Sequence, residues 1–262
     1  MTESILKHLT DLKRTSRIIQ LMWDASDAIL KVHQSENINL QHKADTSPVT
    51  QADLAAHQVL LNGLSALTPD IPVVSEEDPA SLDIPKHYHT FWLIDPLDGT
   101  KEFVSRNGEF TCNLALISDK LSVYGWVSVP VQNLLYHGGL GRGAMRVNRS
   151  SGDGITIQCQ PQTEPTRVVA SKSHLNAETA TFIENIEGAI ELVQAGSSLK
   201  FLKIAEGTAD LYPRLAPTCE WDTAAAHAVL EGAGGTVTQP GGMALRYGKA
   251  EILNPHFIAR AL

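Results

Sequence analysis

The sequence predicts an α/β protein in two halves, each with its own sheet. Apolar runs joined by short polar connections, "TCNLALIS", "LSVYGWVSV" and "NLLYHGGLG", read as an antiparallel meander. After about residue 165 strand-like and helix-like segments alternate, which indicates a second α/β layer. Between them lies a stretch rich in Ser, Gly, Pro and Gln (residues 148–166), so residues 1–162 are expected to form one subdomain and 163–262 another.

Taken in order, Ile5, Leu9, Leu12, Ile19, Trp23 and Ile29 suit a long amphipathic helix or two in series. Ser47, Pro48 and Thr50 mark a turn, and Thr50 with Asp53 fits a capping box that opens a helix to about Ala66. "IPVVS" and "TFWLID" read as strands and lead into the meander. The glycines of "GGLGRGA" are spaced loosely like a dinucleotide fingerprint, but "MRVNR" follows where a helix is required, so a hairpin is expected. In the second half "RVVAS", "AIELVQAG" and "LYPR" read as strands. "NAETATFIENI", "SSLKFLKIAEGTA" and "DTAAAHAVLEGA" read as helices, and short strands are expected near "GTVTQ" and "EILNP".

At 262 residues, 43% hydrophobic and 19% charged, the chain has the material of an ordinary globular core. A net charge of −8 argues against a general grip on nucleic acid while leaving room for a small anion in a local basic pocket. Cys112, Cys159 and Cys219 are too few and too scattered for a disulfide framework or a CxxC metal site. No secretory leader and no run of about 18 apolar residues is read, so the expected place is the cytoplasm, with a peripheral association at the inner face of the cell membrane left open.

"WLIDPLDGTKEF" carries the chemistry. Asp95 and Asp98 follow an apolar run, Pro96 suits the second position of a tight turn, and Gly99 takes the unusual angles after it. Such a turn aims both carboxylates at one point with the Leu97 carbonyl nearby, an oxygen set that suits Mg²⁺. A solvated Asp-rich turn is the plainer alternative. An EF-hand loop from Asp95 fails, since Thr100 and Arg106 stand where glycine and an acid are required. The DxDGT loop of haloacid-dehalogenase-like phosphatases is one residue shorter than the DxxDGT found here. Elsewhere, Glu76 and Glu77 end a strand, Asp222 opens a helix and Asp53 sits in its capping box. Each alone is ordinary; together they form the pattern expected when carboxylates converge on two cations.

"SEED", "WLIDPLDGTKEF" and "EWDTAAAHAVLEGAGG", in that order, resemble the motif set of the magnesium-dependent, lithium-sensitive phosphatase superfamily typified by inositol monophosphatase. "SPVTQADLAAH", "NGEFTCNLALI", "SKSH", "GSSLKF", "LYPRLAPT" and "LNP" look like its CysQ-type 3'(2'),5'-bisphosphate nucleotidase branch, over about residues 43–257. The resemblance implies a layered α/β/α/β sandwich of the inositol-monophosphatase and fructose-1,6-bisphosphatase type, with the site between two subdomains. It implies two or three Mg²⁺ ions, with Glu76, Asp95 and the Leu97 carbonyl on the first and Asp95, Asp98 and Asp222 on the second. Thr100, with Asp53 behind it, would orient the attacking water and take its proton, with Glu76 alongside; the amides of Gly99 and Thr100 would hold phosphate. Lys172, His174, Ser197, Lys200 and Arg214, together with Asp222, would hold the rest of the substrate.

The expected activity is therefore release of the 3'-phosphate from adenosine 3',5'-bisphosphate, giving AMP and phosphate in sulfur metabolism, with the sulfated precursor as a further substrate. The rivals are an inositol monophosphate or polyphosphate phosphatase on the same scaffold, a haloacid-dehalogenase-like phosphatase, and a non-catalytic bisphosphate sensor. Thr100 and Asp53 count against the sensor, which would not need them.

Overall fold

The structure of the protein, a computed structural model, describes residues 12–35, 41–42, 48–162, 164–170 and 176–261. Helix α1 (Leu12–His33) buries Ile18, Leu21, Met22, Ala25 and Ile29, spaced three and four apart along one face. Ile5 and Leu9 lie outside the described residues. Strands β1 (Gln41–His42) and β2 (Pro48–Val49) form a two-stranded ribbon, so Pro48 stands in a strand rather than in the expected turn. Helix α2 (Gln51–Leu67) opens on the expected capping box: Asp53 Oδ2 accepts from the Thr50 amide at 2.8 Å and from its hydroxyl at 2.7 Å.

The first sheet has seven strands in chain order: β3 (Val73–Ser75), β4 (Thr90–Asp98), β5 (Thr111–Ser118), β6 (Leu121–Val129), β7 (Leu134–Gly139), β8 (Gly143–Asn148) and β9 (Gly154–Ile157). Only the β3–β4 pair is parallel. A short helix, α3 (Thr100–Val104), follows β4. The glycines of "GGLGRGA" do form a hairpin, joining β7 to β8. Two expectations shift. The sheet continues through β9 into the stretch read as a boundary, and β4 runs on through Asp98 where a tight turn was expected.

The second sheet orders its strands β11-β10-β12-β14-β13: β10 (Thr166–Ala170), β11 (Ile190–Gln194), β12 (Leu211–Arg214), β13 (Thr236–Thr238) and β14 (Phe257–Arg260). β10 pairs in parallel with β11 and β12, while β14 is antiparallel to its neighbours. Helices α4 (Ala177–Glu184), α5 (Leu199–Ala205) and α6 (Trp221–Gly232) complete this half. "EILNP" supplies an isolated bridge at Leu253, and the final strand lies just after it.

Strand alternation sorts the core into layers. Trp92, Ile94, Leu114, Leu116 and Trp126 face α1 and α2, while Phe91, Leu93, Ala115, Ile117 and Val127 face α5 and α6. Those helices bury their other sides against Val169, Tyr212, Val237 and Phe257 of the second sheet. Val168 and Ala170 point outward onto Ile183 of α4, so a short fifth layer covers the α/β/α/β sandwich. Among the described residues no helix is long and apolar enough to cross a membrane.

Candidate active site

The acids gather where β3 and β4 end and α6 begins. β3 and β4 run in parallel with Ser75 opposite Ile94, which sets Glu76 beside Asp95, and the Glu76 amide donates to the Ile94 carbonyl at 3.3 Å. Asp95 and Asp98 are three residues apart, and in a regular strand they would face opposite ways. The pairing shows why they do not: Asp95 opposes Asn113 and Asp98 opposes Thr111, so an extra residue is absorbed between them as a bulge. Pro96, which has no amide to lose from a ladder, is tolerated there. The convergence expected from a turn is thus achieved by a bulge.

Asp222 arrives from the other half, in the first turn of α6, with its Oδ2 accepting from the Cys219 amide at 2.7 Å. One oxygen each of Glu76, Asp95 and Asp222 lies within 4.8 Å of the others. Asp95 is 1% exposed. Burial, and then the charges of Glu76, Asp98, Asp222 and Asp53, hold its carboxyl well above the usual range. Asp222 is displaced the same way by burial and by Asp98 and Glu76. Carboxylates crowded this closely need neutralising by protons or by a cation. With oxygen donors only, the set fits a hard divalent cation.

Glu77 stays outside this cluster, whereas Asp98 is its neighbour, close enough to act on both Asp95 and Asp222. Leu97 buries its side chain under α1 and α2, and its amide donates to Asp95 Oδ1 at 3.1 Å. Gly99 takes a φ of +91°, a conformation in which glycine is unstrained, and brings Thr100 to the start of α3.

Glu76, Asp98, Gly99, Thr100 and Asp222 line a cavity of about 510 Å³ whose other wall carries Ser197, Lys200, Tyr212 and Arg214. Lys200 donates to the Ser197 carbonyl at 2.7 Å and lies 5.5 Å over the Tyr212 ring. Arg214 donates to the Pro217 carbonyl at 3.0 Å, and its buried Nε has no partner among the described residues. Acids and bases therefore face one another across a single cleft, with Asp53 buried behind the acids. Lys172 and His174 lie outside the described residues.

Sequence reasoning missed Tyr212, Thr111, Asn113 and Ser198. Tyr212 was within reach, since in a strand it must share a face with Arg214 two residues on. Thr111 and Asn113 sit inside an apolar run, where nothing local distinguishes them from ordinary strand residues.

A carboxylate cluster facing a basic wall, set between two stacked sheets, makes a site with oxygen donors suited to a cation on one side and positive charge suited to an anion on the other. Sequence comparison gives the family: residues 11–261 match the inositol monophosphatase family, and the chain belongs to it. It is 45% identical, over 92% of its length and 97% of the relative's, to the 3'(2'),5'-bisphosphate nucleotidase CysQ of Escherichia coli. The crystal structure of CysQ from Bacteroides thetaiotaomicron superposes with a TM-score of 0.85 at 37% identity, covering 97% of this chain and 98% of that one. The Thermotoga maritima IMPase shares the fold, with a TM-score of 0.75 at 23% identity over 95% of this chain and 92% of that one.

Proposed function

We propose that the protein is a Mg²⁺-dependent phosphohydrolase that removes the 3'-phosphate of adenosine 3',5'-bisphosphate, giving AMP and phosphate, and that also accepts the sulfated precursor. The observation that carries this reading is that the cavity reached by Glu76 and Asp222 of the three-carboxylate cluster also holds Lys200 and Arg214, whose Nε has no partner among the described residues. A bisphosphate has one phosphate for each side. The identity to bisphosphate nucleotidases over nearly the whole chain supports the same substrate and a role in sulfur metabolism.

Glu76, Asp95, the Leu97 carbonyl, Asp98 and Asp222 would hold two or three ions. Bound there, Mg²⁺ would offset the carboxylate charge, polarise the phosphoryl group and ease deprotonation of the attacking water. Thr100 would orient that water and Asp53 would take its proton, with Glu76 beside them. The amides of Gly99 and Thr100 would hold the oxygens of the departing phosphoryl group. Its P–O3' bond breaks as the water oxygen bonds to phosphorus, and the 3' oxygen leaves with a proton. Lys200 and Arg214, with Lys172 and His174, would neutralise the other phosphate, and Ser197 lines the same wall. Residues 1–162 would then form the metal-binding subdomain, and 163–262 the one that closes over the nucleotide.

Phosphate release from adenosine 3',5'-bisphosphate, its sulfated precursor and a set of inositol phosphates tests this. The expected order places the bisphosphate first in kcat/KM. Preference for an inositol phosphate would overturn the substrate assignment, and an aspartyl-phosphate trapped on Asp95 would overturn direct attack by water.

A further inference from the structure

Asp98 presents its two oxygens to different surroundings. Oδ2 accepts from the Ser197 hydroxyl at 2.5 Å and the Ser198 amide at 2.7 Å, with Thr111 Oγ1 at 3.4 Å and Asn113 Nδ2 at 3.5 Å beyond. A carboxylate oxygen has roughly two lone pairs, and two close donors already use them. Nothing among the described residues donates to Oδ1, and Asp98 lines the cavity.

The donors are themselves held. Thr111 Oγ1 lies 2.7 Å from the hydroxyls of both Ser197 and Ser198, and Ser198 Oγ donates to Asn113 Oδ1 at 2.9 Å. Thr111, Asn113 and Ser198 are each at most 1% exposed. Thr111 and Asn113 stand opposite Asp98 and Asp95 in the strand register, so the bulge that brings the acids together also faces them with these partners. Ser197 adopts a φ of +51°, a left-handed conformation that is uncommon outside glycine and persists only where the surroundings impose it. Its carbonyl accepts from the Lys200 ammonium at 2.7 Å.

We propose that Ser197, Ser198, Thr111 and Asn113 form a clamp that positions Asp98, fixing Oδ2 so that Oδ1 alone is offered to a divalent cation. This rests on the reading of Asp98 as a cation ligand. The clamp joins β5 of the first sheet to the segment entering α5, so the two halves of the molecule must dock before Asp98 is set. Ser197 and Ser198 act through Asp98, as positioning residues.

The test is thermal unfolding of the substrate-free full chain, stripped with EDTA and titrated with Mg²⁺. Ser197→Gly removes the hydroxyl while suiting the left-handed backbone, so its ion-free midpoint should stay within a few degrees of wild type. Its half-saturating Mg²⁺ concentration should rise about tenfold, as expected for a lost hydrogen bond to a charged group. Ser198→Ala keeps the amide donor and should raise it by only about two- to threefold. Unchanged half-saturation in both variants would overturn the clamp, whether or not the ion-free midpoint falls, because a fall alone marks simple adhesion between the halves. A wild-type chain that Mg²⁺ fails to stabilise would remove the cation reading itself, and the clamp with it.

Discussion

Burial brings the Lys200 ammonium down to about 8, against the pull of Asp98 and with Arg214 adding to the fall. It is therefore charged below that pH and loses its charge above it. If it neutralises the second phosphate, kcat/KM for the bisphosphate should fall above a pH of about 8 in the free enzyme. Lys200→Arg keeps its charge at higher pH and should flatten that limb. Lys200→Ala should raise KM for the bisphosphate about ten- to a hundredfold with kcat nearly unchanged, and leave monophosphates nearly untouched. Equal losses on both substrates would assign Lys200 to the fold. Residues of this kind were legible because charge is conspicuous: Glu76 and Asp222 stand at element ends and Asp95 at the bulge of β4, where carboxylates from different segments meet. The clamp was not legible, because a threonine, an asparagine and a serine become informative only once Asp98 is seen to sit among them.

Periodicity identified most elements, and it failed where one pattern serves two geometries. The run Pro96-Leu97-Asp98-Gly99 suits a turn and also a bulge, and only the pairing with β5 decided for the bulge. β9 was hidden by the glycines and serines around it. The alanine run of "DTAAAHAVL" correctly announced a helix but gave no reason for so many small residues. The reason is close approach: a Cβ on Gly125 would sit 2.0 Å from the Ala225 carbonyl oxygen, so α6 lies directly on β6. Gly125→Ala must push the helix away, at a cost of about 1–3 kcal/mol. Since Asp222 rides in the first turn of α6, activity should fall as well as stability. Circular dichroism melting with a phosphate-release assay reads both, and an unchanged midpoint would contradict the packing.

At the scale of the molecule, the layered sandwich followed from the family resemblance. Local pattern gave two sheets and the helix α4, without the stacking of the sheets or the outer place of that helix. Stacking is what brings Asp222 of the second half to Glu76 and Asp95 of the first. The fold thus ends in a concentration of like charge, which opposes docking until something neutralises it. Mg²⁺ at a hundred times its dissociation constant would add about 2.7 kcal/mol to stability. For a chain of this size that is roughly 5–10 °C in midpoint. Asp95→Asn separates the charge from the shape. The amide retains an oxygen for the Leu97 amide, removes the most buried acid of the cluster and gives Glu76 or Asp222 a donor. It should raise the ion-free midpoint above that of the wild type while abolishing both activity and the Mg²⁺ shift, a gain in stability at the expense of function. Melting curves of the two proteins in EDTA and in millimolar Mg²⁺ decide it. If Asp95→Asn instead lowers the ion-free midpoint, the cluster is not held under like-charge strain, and the carboxylates stabilise the fold without a cation.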